Sequence, residues 1–387
     1  MAEKAIDSPL GIYIHIPFCV QKCKYCDFTS FANQCSETKS RYVEALKKDI
    51  SLAAQHLKNK TVDSIYFGGG TPTCLSPDDI SDVIKIVFDS YNVSRDTEIT
   101  TECNPATISK DGLRQLHSSG FNRLSIGLQS VHNNELQALG RIHTFEDFLQ
   151  TYDNAAGAGF NNVSLDLMYG IPHQTVESFQ RTLETVASLE PQHISAYGLI
   201  IEPGTEFFAK RDSLPLPDEE AEYEMYKMAD ATLIKLGYEH YEISNYALNG
   251  KRSRHNMKYW QLDDYIGFGI SAHSLINGKR YYITSKIPDY IDHFLFNDKT
   301  EHCFIEEIPD DLTLCEEYVM MRLRLADGLL VDDMIKRFPN DPLDKYLNRM
   351  SKFIDSGHII NSKGKYFLSA DGMYISNYIL SDILDLE

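Results

Sequence analysis

The first β-rich run of the chain leads directly into three closely spaced cysteines, in the stretch YIHIPFCVQKCKYC at residues 13–26. One loop therefore carries the thiols of Cys19, Cys23 and Cys26. Thiolates hold iron–sulfur clusters, and a cubane cluster with three protein ligands keeps one iron open for an outside ligand. Structural zinc needs four ligands in two close pairs, and the chain has no second CxxC or HxxxH pair. The spacing therefore favours a cluster over zinc or over cysteines without a ligand role.

Composition limits the classes of function that remain. The chain has 387 residues, of which 43% are hydrophobic and 24% charged, as in ordinary globular proteins. Its net charge of −19 at pH 7 argues against nucleic acid as a partner and favours a basic patch on a partner protein. No stretch resembles a signal peptide or a membrane span, so we expect a cytoplasmic protein in a compartment that keeps thiols reduced.

The strand pattern predicts an α/β fold. Six short β-rich runs alternate with helical segments. The runs lie at residues 11–16, 62–67, 98–102, 123–128, 163–168 and 193–199. Alternation of this kind implies parallel strands joined by right-handed crossovers. No GxGxxG follows the first strand, which argues against a dinucleotide site. We therefore predict a partial (β/α)6 TIM-like barrel over residues 1–202, with its chemistry at the carboxyl ends of the strands.

The rest of the chain divides into three further segments. Residues 203–284 read as an extension of the barrel, 285–311 as a linker, and 312–387 as a small winged-helix-like domain. The last prediction rests on helices at 312–325, 331–337 and 343–355 that precede two short strands around 362–364. Because this domain is rich in Asp and Glu, packing or partner docking is favoured over DNA binding. The cysteines outside the cluster loop lack metal spacing and are predicted to be buried: Cys35, Cys74, Cys103, Cys303 and Cys315.

Polar residues and glycines gather where the predicted strands end. Gly68, Gly69 and Gly70 close the second strand and remove side chains, so that backbone groups can approach a ligand, and Thr71 adds a hydroxyl. A tight turn is the alternative reading. Charged or amide side chains occur at or beyond four further strand ends, where solvated surface charge is the usual explanation: Glu102, Gln129, Arg141 and Asp166.

These motifs resemble those of the radical S-adenosylmethionine (SAM) superfamily, whose signature is CxxxCxxC, and within it the coproporphyrinogen III dehydrogenase-like branch. The resemblance covers most of the chain, through the ordered motifs YIHIPFC, GGGTPT, ECNP, SIGLQS, GR and DLMYGIP. It implies a [4Fe-4S] cluster on Cys19, Cys23 and Cys26 with SAM on the open iron. It also implies that SAM is lined by Tyr13, Tyr25, Gly69, Gly70, Thr71, Glu102, Gln129, Arg141 and Asp166.

A second motif, RHNMKYW at residues 254–260, contains the only tryptophan of the chain. A neutral imidazole from His255 is a good iron ligand, and the rings of Tyr259 and Trp260 could pack against a planar macrocycle. The alternative is a loop histidine that bonds a neighbour and two core aromatic residues. The segment is similar to the HNxxYW motif of the heme chaperones in this branch. That resemblance implies heme as a cofactor, bound through His255, Asn256, Tyr259 and Trp260.

The residue at position 28, here Phe28, distinguishes two functional groups within the branch. The oxygen-independent coproporphyrinogen III dehydrogenases carry a further cysteine there, two residues past the last cluster cysteine, and a longer N-terminal extension. The departure favours a heme chaperone that delivers heme to target apoproteins such as respiratory enzymes, including membrane-associated ones. Oxidative decarboxylation of a porphyrinogen stays open as an alternative, and so does a cluster that serves folding alone. No catalytic residue is assigned.

Overall fold

The computed structural model describes residues 8–296, 305–339 and 343–385. Residues 297–304 of the predicted linker, including Cys303, lie outside the described residues.

Strands and helices alternate through the first half of the chain. The strands are β1 (Leu10–Ile16), β2 (Phe18–Cys19), β3 (Phe31–Ala32), β4 (Thr61–Gly69), β5 (Asn92–Cys103), β6 (Arg123–Gln129), β7 (Val163–Tyr169), β8 (His193–Gly198), β9 (Glu239–Glu242), β10 (Asn245–Ala247), β11 (Tyr265–Phe268), β12 (His273–Ile276), β13 (Lys279–Tyr282), β14 (Ile305–Glu307), β15 (Leu329–Leu330), β16 (Ile359–Ser362) and β17 (Lys365–Leu368). The helices are α1 (Ser36–Leu57), α2 (Pro77–Ser90), α3 (Lys110–Ser118), α4 (Asn133–Leu139), α5 (Phe145–Ala158), α6 (Val176–Ala187), α7 (Glu206–Lys210), α8 (Glu219–Lys235), α9 (Arg254–Gln261), α10 (Ile287–Phe296), α11 (Asp311–Leu323), α12 (Val331–Arg337), α13 (Leu343–Asp355), α14 (Ala370–Tyr374) and α15 (Ser376–Leu384), with 3-10 turns at Pro72–Cys74 and Arg211–Ser213.

One sheet organises the molecule. Its described strands lie in the order β14-β13-β12-β11-β1-β4-β5-β6-β7-β8-β10-β9. The six predicted strands are β1, β4, β5, β6, β7 and β8, which pair side by side in parallel. Parallel strands need crossover helices that cover the sheet, so their residues are buried on both faces, as every residue of β6 is. The structure confirms the α/β partial barrel.

Local signals fix the helices that cover the barrel. Helix α1 buries Tyr42, Leu46 and Ile50, which recur every three or four residues and pack on the sheet. Helix α2 begins where the side chain of Ser76 accepts a hydrogen bond from the backbone N–H of Asp79 at 3.1 Å, with Pro77 at the first helical position. The capping residues of α2 and the apolar spacing of α1 could both be recognised in the sequence.

The extension adds strands to both edges of the barrel. Strand β10 pairs antiparallel with β8, and β9 pairs antiparallel with β10 at the edge of the sheet. On the other side, β11 pairs in parallel with β1. Helix α10 falls inside the segment predicted as a linker and corrects that prediction for residues 287–296. Its residues Ile287, Tyr290, Ile291 and Phe294 are buried, and the ring of Tyr290 lies 5.1 Å from that of Tyr42. Their helical spacing was a signal in the sequence that the linker prediction overlooked.

The C-terminal segment contains, in chain order, α11, β15, α12, α13 and the β16–β17 hairpin, and β15 pairs with β17. The three predicted helices correspond to α11, α12 and α13, whereas β15, α14 and α15 were not anticipated. The segment docks on the barrel extension, because the Tyr226 hydroxyl donates to the carbonyl of Ala370 at 2.9 Å and Arg252 pairs with Asp327 at 2.7 Å. No helix in the described ranges is long and apolar enough to cross a bilayer.

The burial prediction for the remaining cysteines holds only in part. Cys103 and Cys315 are buried and Cys74 is half-buried, but Cys35 is exposed. Cys35 immediately precedes α1, in the loop that leaves β3, and the prediction for it is wrong because a helix-flanking loop lies at the surface.

Candidate functional site

The cysteine loop lies at the carboxyl end of β1 and is fastened to neighbouring loops by its backbone. The N–H of Lys24 donates to the carbonyl of Leu139 at 3.1 Å, and the carbonyl of Lys24 accepts from the N–H of Phe207 at 3.0 Å. The side-chain amide of Gln21 donates to the carbonyl of Gly140 at 3.0 Å. These bonds hold the loop over the barrel mouth, and its three thiols stay half-buried there.

The donor set consists of three half-buried thiols on one loop, the ligand type of iron–sulfur clusters. Within the described ranges, no three His, Cys, Asp or Glu side chains converge on one point as a single metal ion requires. A cubane accepts one thiolate at each of its irons, so its cysteines stand further apart. Burial raises the pKa of the Cys19 and Cys26 thiols, and a bound cation is what would offset that cost.

A hydrogen-bond network joins the loop to three strand ends. The guanidinium of Arg141 reaches the sulfur of Cys23 at 3.6 Å, and its Nη2 donates to Oδ1 of Asn104 at 2.7 Å and to the carbonyl of Gly127 at 2.6 Å. Nδ2 of Asn104 donates in turn to Oγ1 of Thr71 at 2.8 Å, and the Thr71 hydroxyl lies 3.8 Å from the sulfur of Cys19. Arg141 and Thr71 are therefore positioned beside the sulfurs of Cys23 and Cys19.

The three glycines make room for the protein's own groups. A Cβ on Gly70 would lie 2.7 Å from the carbonyl oxygen of Phe18 and 3.0 Å from the sulfur of Cys19. Gly69 has φ 114° and its missing side chain is replaced by the ring of His15. The backbone N–H of Gly69 donates to Oε2 of Glu102 at 3.2 Å. Packing against the cysteine loop thus accounts for Gly70, and packing against the ring of His15 accounts for Gly69, without a ligand.

Glu102 is held from two sides. The Tyr66 hydroxyl donates to its Oε1 at 2.9 Å while Gly69 donates to its Oε2. Burial raises the pKa of Glu102 to about 7, although the hydrogen bond from Tyr66 lowers it. The ring of Tyr13 stacks on that of Tyr66 with centroids 6.3 Å apart, and its hydroxyl is 3.0 Å from Nδ1 of His15. A carboxylate with so high a pKa changes charge readily when a cationic ligand arrives.

The remaining predicted SAM residues line the same space. Asp166 accepts from the Ser125 hydroxyl at 3.2 Å, and the Tyr197 hydroxyl donates to Oε1 of Gln129 at 2.9 Å. Gln129 has φ 71° after a bulge in β6, a strained conformation that re-aims its side chain at the strand end. Tyr25 packs with the small apolar cluster that includes Leu139 and Met168.

These side chains surround a cavity of about 590 Å³ inside the barrel. All of the predicted SAM residues except Tyr13 border it directly, as do the three cysteines. Its mouth is mixed: Phe28 and Ile200 border the cavity and are 70% and 68% exposed, beside the exposed polar residues Gln21, Lys22 and Asp27. Its depth is polar, with Arg123, Ser164, His193 and Ser195. A volume of this size is in the range that holds one sizeable small-molecule ligand.

The predicted heme motif lies at the other end of the barrel. Helix α9 starts where Oε1 of Glu98 accepts the backbone N–H groups of Arg254 and His255 at 3.0 and 3.3 Å. The imidazole of His255 bonds Oγ of Ser64 at 3.1 Å and the hydroxyl of Tyr259 at 2.8 Å. Helix α9 thus contacts Ser64 of β4, and its side chains also pack against Gly11 of β1. Both residues belong to the amino-terminal halves of their strands, so α9 closes the floor of the barrel.

His255 is 1% exposed and both of its ring nitrogens are occupied, so iron ligation would require both bonds to break. Its ring stacks on that of Tyr66 at 5.4 Å. Trp260 packs with Tyr241 and Leu325, against the C-terminal segment. Of the four predicted heme residues, only Asn256 borders the cavity. The structure thus brings the cysteines and SAM residues together and places most of the heme motif beneath them.

Several residues of the site were missed by the sequence analysis. Asn104 joins Arg141 to Thr71, Tyr66 holds Glu102, and Arg123 lies deep in the cavity. Alternation along each strand was the available signal, since Arg123, Ser125 and Gly127 of β6 face the cavity together. Tyr66 shares a face of β4 with Ser64 and Gly68 in the same way.

Known proteins resemble the chain along nearly its whole length. The model of the radical SAM superfamily matches residues 13–186. The heme chaperone HemW of Bacillus subtilis (strain 168) is 32% identical over 380 residues, which covers 96% of this chain and 98% of that protein. HemW of Escherichia coli (strain K12) is 38% identical over 268 residues, 69% of this chain and 70% of that protein.

A solved structure of the radical SAM enzyme coproporphyrinogen III oxidase (HemN) from Escherichia coli shares the fold. It has a TM-score of 0.86 and 24% sequence identity, and the match covers 98% of this chain and 91% of that one.

Gly70→Ala should lower cluster loading. The new methyl group would collide with backbone and sulfur of the cysteine loop, and overpacking of this kind costs roughly 1–3 kcal/mol unless the loop moves. Iron and sulfide per chain after anaerobic reconstitution measure the effect. Gly157→Ala is the matched control, because its Cβ would meet only the flexible end of Lys110. Equal loading of the two variants would contradict the packing role of Gly70.

His255 should make stability depend on pH. Burial lowers its pKa from 6.5 to about 3, with repulsion from Lys258 and Arg123 adding to the shift. Because the folded-state pKa lies below the unfolded one, the stability it confers is complete above pH 6.5 and declines as the pH falls toward 3. In urea unfolding, the difference in free energy of unfolding between wild type and His255→Gln should be about 2 kcal/mol smaller at pH 5 than at pH 8. The exposed His56→Gln variant is the control, and a pH-independent difference for His255→Gln would contradict its burial as a neutral ring.

Proposed function

The chain belongs to the HemW family of the radical SAM superfamily, and we propose that it is a heme chaperone that binds heme, a [4Fe-4S] cluster and SAM and delivers heme to target proteins. The observation that carries this proposal is the match to HemW proteins over nearly the full length of both chains. The HNxxYW motif at residues 255–260 and Phe28 beside the cluster loop support it.

The residues at the carboxyl end of the barrel fit the cofactors of the superfamily. Cys19, Cys23 and Cys26 would hold the cluster, whose open iron supplies a site where SAM can bind. By resemblance, the carboxylate of Glu102 and the guanidinium of Arg141 would receive the charged ends of the amino acid part of SAM. Tyr66 and Asn104 hold these two side chains in place before any ligand arrives.

The mouth of the cavity suits the reception and release of a large apolar cargo. Phe28 and Ile200 expose apolar side chains to water at the rim of the cavity, beside the charged Lys22 and Asp27. Phe28 occupies the place of the further cysteine of the dehydrogenases. The rim thus supports binding of a large tetrapyrrole, and Phe28 in the place of that cysteine favours heme delivery over decarboxylation of a porphyrinogen.

The HNxxYW motif would contribute to heme binding from below. Asn256 borders the cavity, and His255 supports Tyr66 from beneath by stacking on its ring. In this arrangement the motif builds the floor of the site. We include Tyr259 and Trp260 in the proposal because they fix α9: Tyr259 bonds His255, and Trp260 packs against the C-terminal segment.

The recipients would be heme-requiring apoproteins such as respiratory enzymes, some of them associated with a membrane, and we place the transfer in the cytoplasm. The net charge of −19 favours recipients with a basic docking patch. The C-terminal segment packs on the barrel extension through Tyr226 and Arg252, and we propose that it contributes to docking of the recipient.

The full-length protein, titrated with heme, should develop a Soret band that saturates stoichiometrically, and the bound heme should transfer to a heme-free globin. His255→Ala should weaken binding because the floor under Tyr66 is lost, whereas His56→Ala on the exposed face of α1 should not.

Anaerobic incubation of the reconstituted protein with coproporphyrinogen III, SAM and a reductant should leave the porphyrinogen unchanged. Formation of the divinyl product, or the absence of stoichiometric heme binding, would overturn the proposed function.

A further inference from the structure

Arg123 is a buried cation deep in the cavity that the cluster and SAM do not account for. It is the first residue of β6, is only 2% exposed, and borders the cavity. The strand register pairs it with Thr100 of β5, two residues before Glu102. Arg123 thus lies below the predicted SAM residues and toward the floor that α9 closes.

The guanidinium of Arg123 has no partner in the described part of the chain. Its Nε is buried without an acceptor, and its other two nitrogens make no hydrogen bond or ion pair. Arg141, by contrast, donates to Asn104 and Gly127 and contacts Cys23. A guanidinium does not lose its proton in proteins, so burial without a partner is costly unless an anion is bound.

The carboxylates around Arg123 are committed to other groups. Glu102 accepts from Tyr66 and Gly69, and Asp166 accepts from Ser125. Glu98, on the neighbouring strand, accepts the first N–H groups of α9. None of the three approaches Arg123 within ion-pair distance.

The other floor residues are neutral near pH 7. Burial lowers the pKa of His193 and of His255, and each ring is hydrogen-bonded on both nitrogens, His193 to Ser164 and Tyr241. Asn245, which also borders the cavity, has a buried Oδ1 without a donor. Arg123 is therefore a guanidinium without a hydrogen-bond or ion-pair partner at the floor of the cavity. Glu102 and Asp166 attract it from a longer distance, since its charge acts to lower the pKa of both carboxyl groups.

We infer that Arg123 is the anchor of an anion-binding subsite at the floor of the barrel, which takes a carboxylate of the cargo. The planar fork of a guanidinium matches a carboxylate with two parallel hydrogen bonds. Exposed apolar side chains of Phe28 and Ile200 at the mouth and a guanidinium at the floor fit a ligand with an apolar body and a terminal carboxylate. Resting on the proposed function, the inference identifies that group as a propionate of the porphyrin.

Heme and its dimethyl ester distinguish the subsite from general porphyrin binding, because the ester keeps the macrocycle and loses the carboxylates. Both are titrated into full-length wild type, Arg123→Gln, Arg123→Lys and the surface control Arg114→Gln. SAM affinity is measured on the same proteins after cluster reconstitution, since the other carboxylate that could reach Arg123 is that of SAM. Succinate alone, read as a shift in melting temperature, tests the subsite without porphyrin.

Wild type should bind heme about tenfold or more tightly than the ester, because the ester lacks the carboxylate that pairs with Arg123. Arg123→Gln should bind both equally, Arg123→Lys should lie between, and Arg114→Gln should match wild type. The ligand-free Arg123→Gln protein should melt no lower than wild type, because an unpaired buried charge is removed.

Equal affinity of wild type for heme and ester, or a loss confined to SAM in Arg123→Gln, would overturn the assignment to the porphyrin. A marked drop in the melting temperature of ligand-free Arg123→Gln would show a structural role and would also overturn it. If wild type binds neither porphyrin, the proposed function fails. In that case the succinate measurement tests the anion subsite alone. The subsite is supported only if succinate raises the melting temperature of wild type and not that of Arg123→Gln.

Discussion

A cubane cluster contains four irons, and in the proposed site the cysteine loop would offer it three thiolates. This shortfall is the constraint on which the site depends, because it leaves one iron to be completed by a small molecule. The loop must therefore stand at the open end of the barrel and keep its thiols beside a cavity. Backbone bonds from Lys24 and close packing of Gly70 hold it there. Arg141 joins one cysteine to two strand ends and so fixes the loop relative to the sheet.

The interior of the barrel connects this upper end to the floor. His255 of α9 stacks on Tyr66, Tyr66 donates to Glu102, and Glu102 accepts from the backbone of Gly69 next to the cysteine loop. A continuous set of contacts thus runs from the HNxxYW motif to the glycines that pack on the cluster loop. Displacement of α9 would withdraw the support of Tyr66, and so the motif can influence the SAM residues without touching them.

The sequence predicted those features that depend on local order along the chain. The six strands follow from β-rich runs between amphipathic helices, and the cysteine loop follows from its spacing after the first strand. Three-dimensional packing decided the rest. That α9 lies at the floor depends on Glu98, 156 residues away from Arg254 in the sequence. Asn104 and Arg123 gain their roles only when neighbouring strands bring them to one cavity.

Iron and sulfide analysis of anaerobically reconstituted protein, combined with EPR of the reduced form with and without SAM, tests the central claim most directly. The account predicts about four irons and four sulfides per chain. It also predicts an EPR signal that changes when SAM is added, because SAM completes the open iron. A colourless protein, tightly bound zinc, or a cluster signal that SAM leaves unchanged would contradict the account.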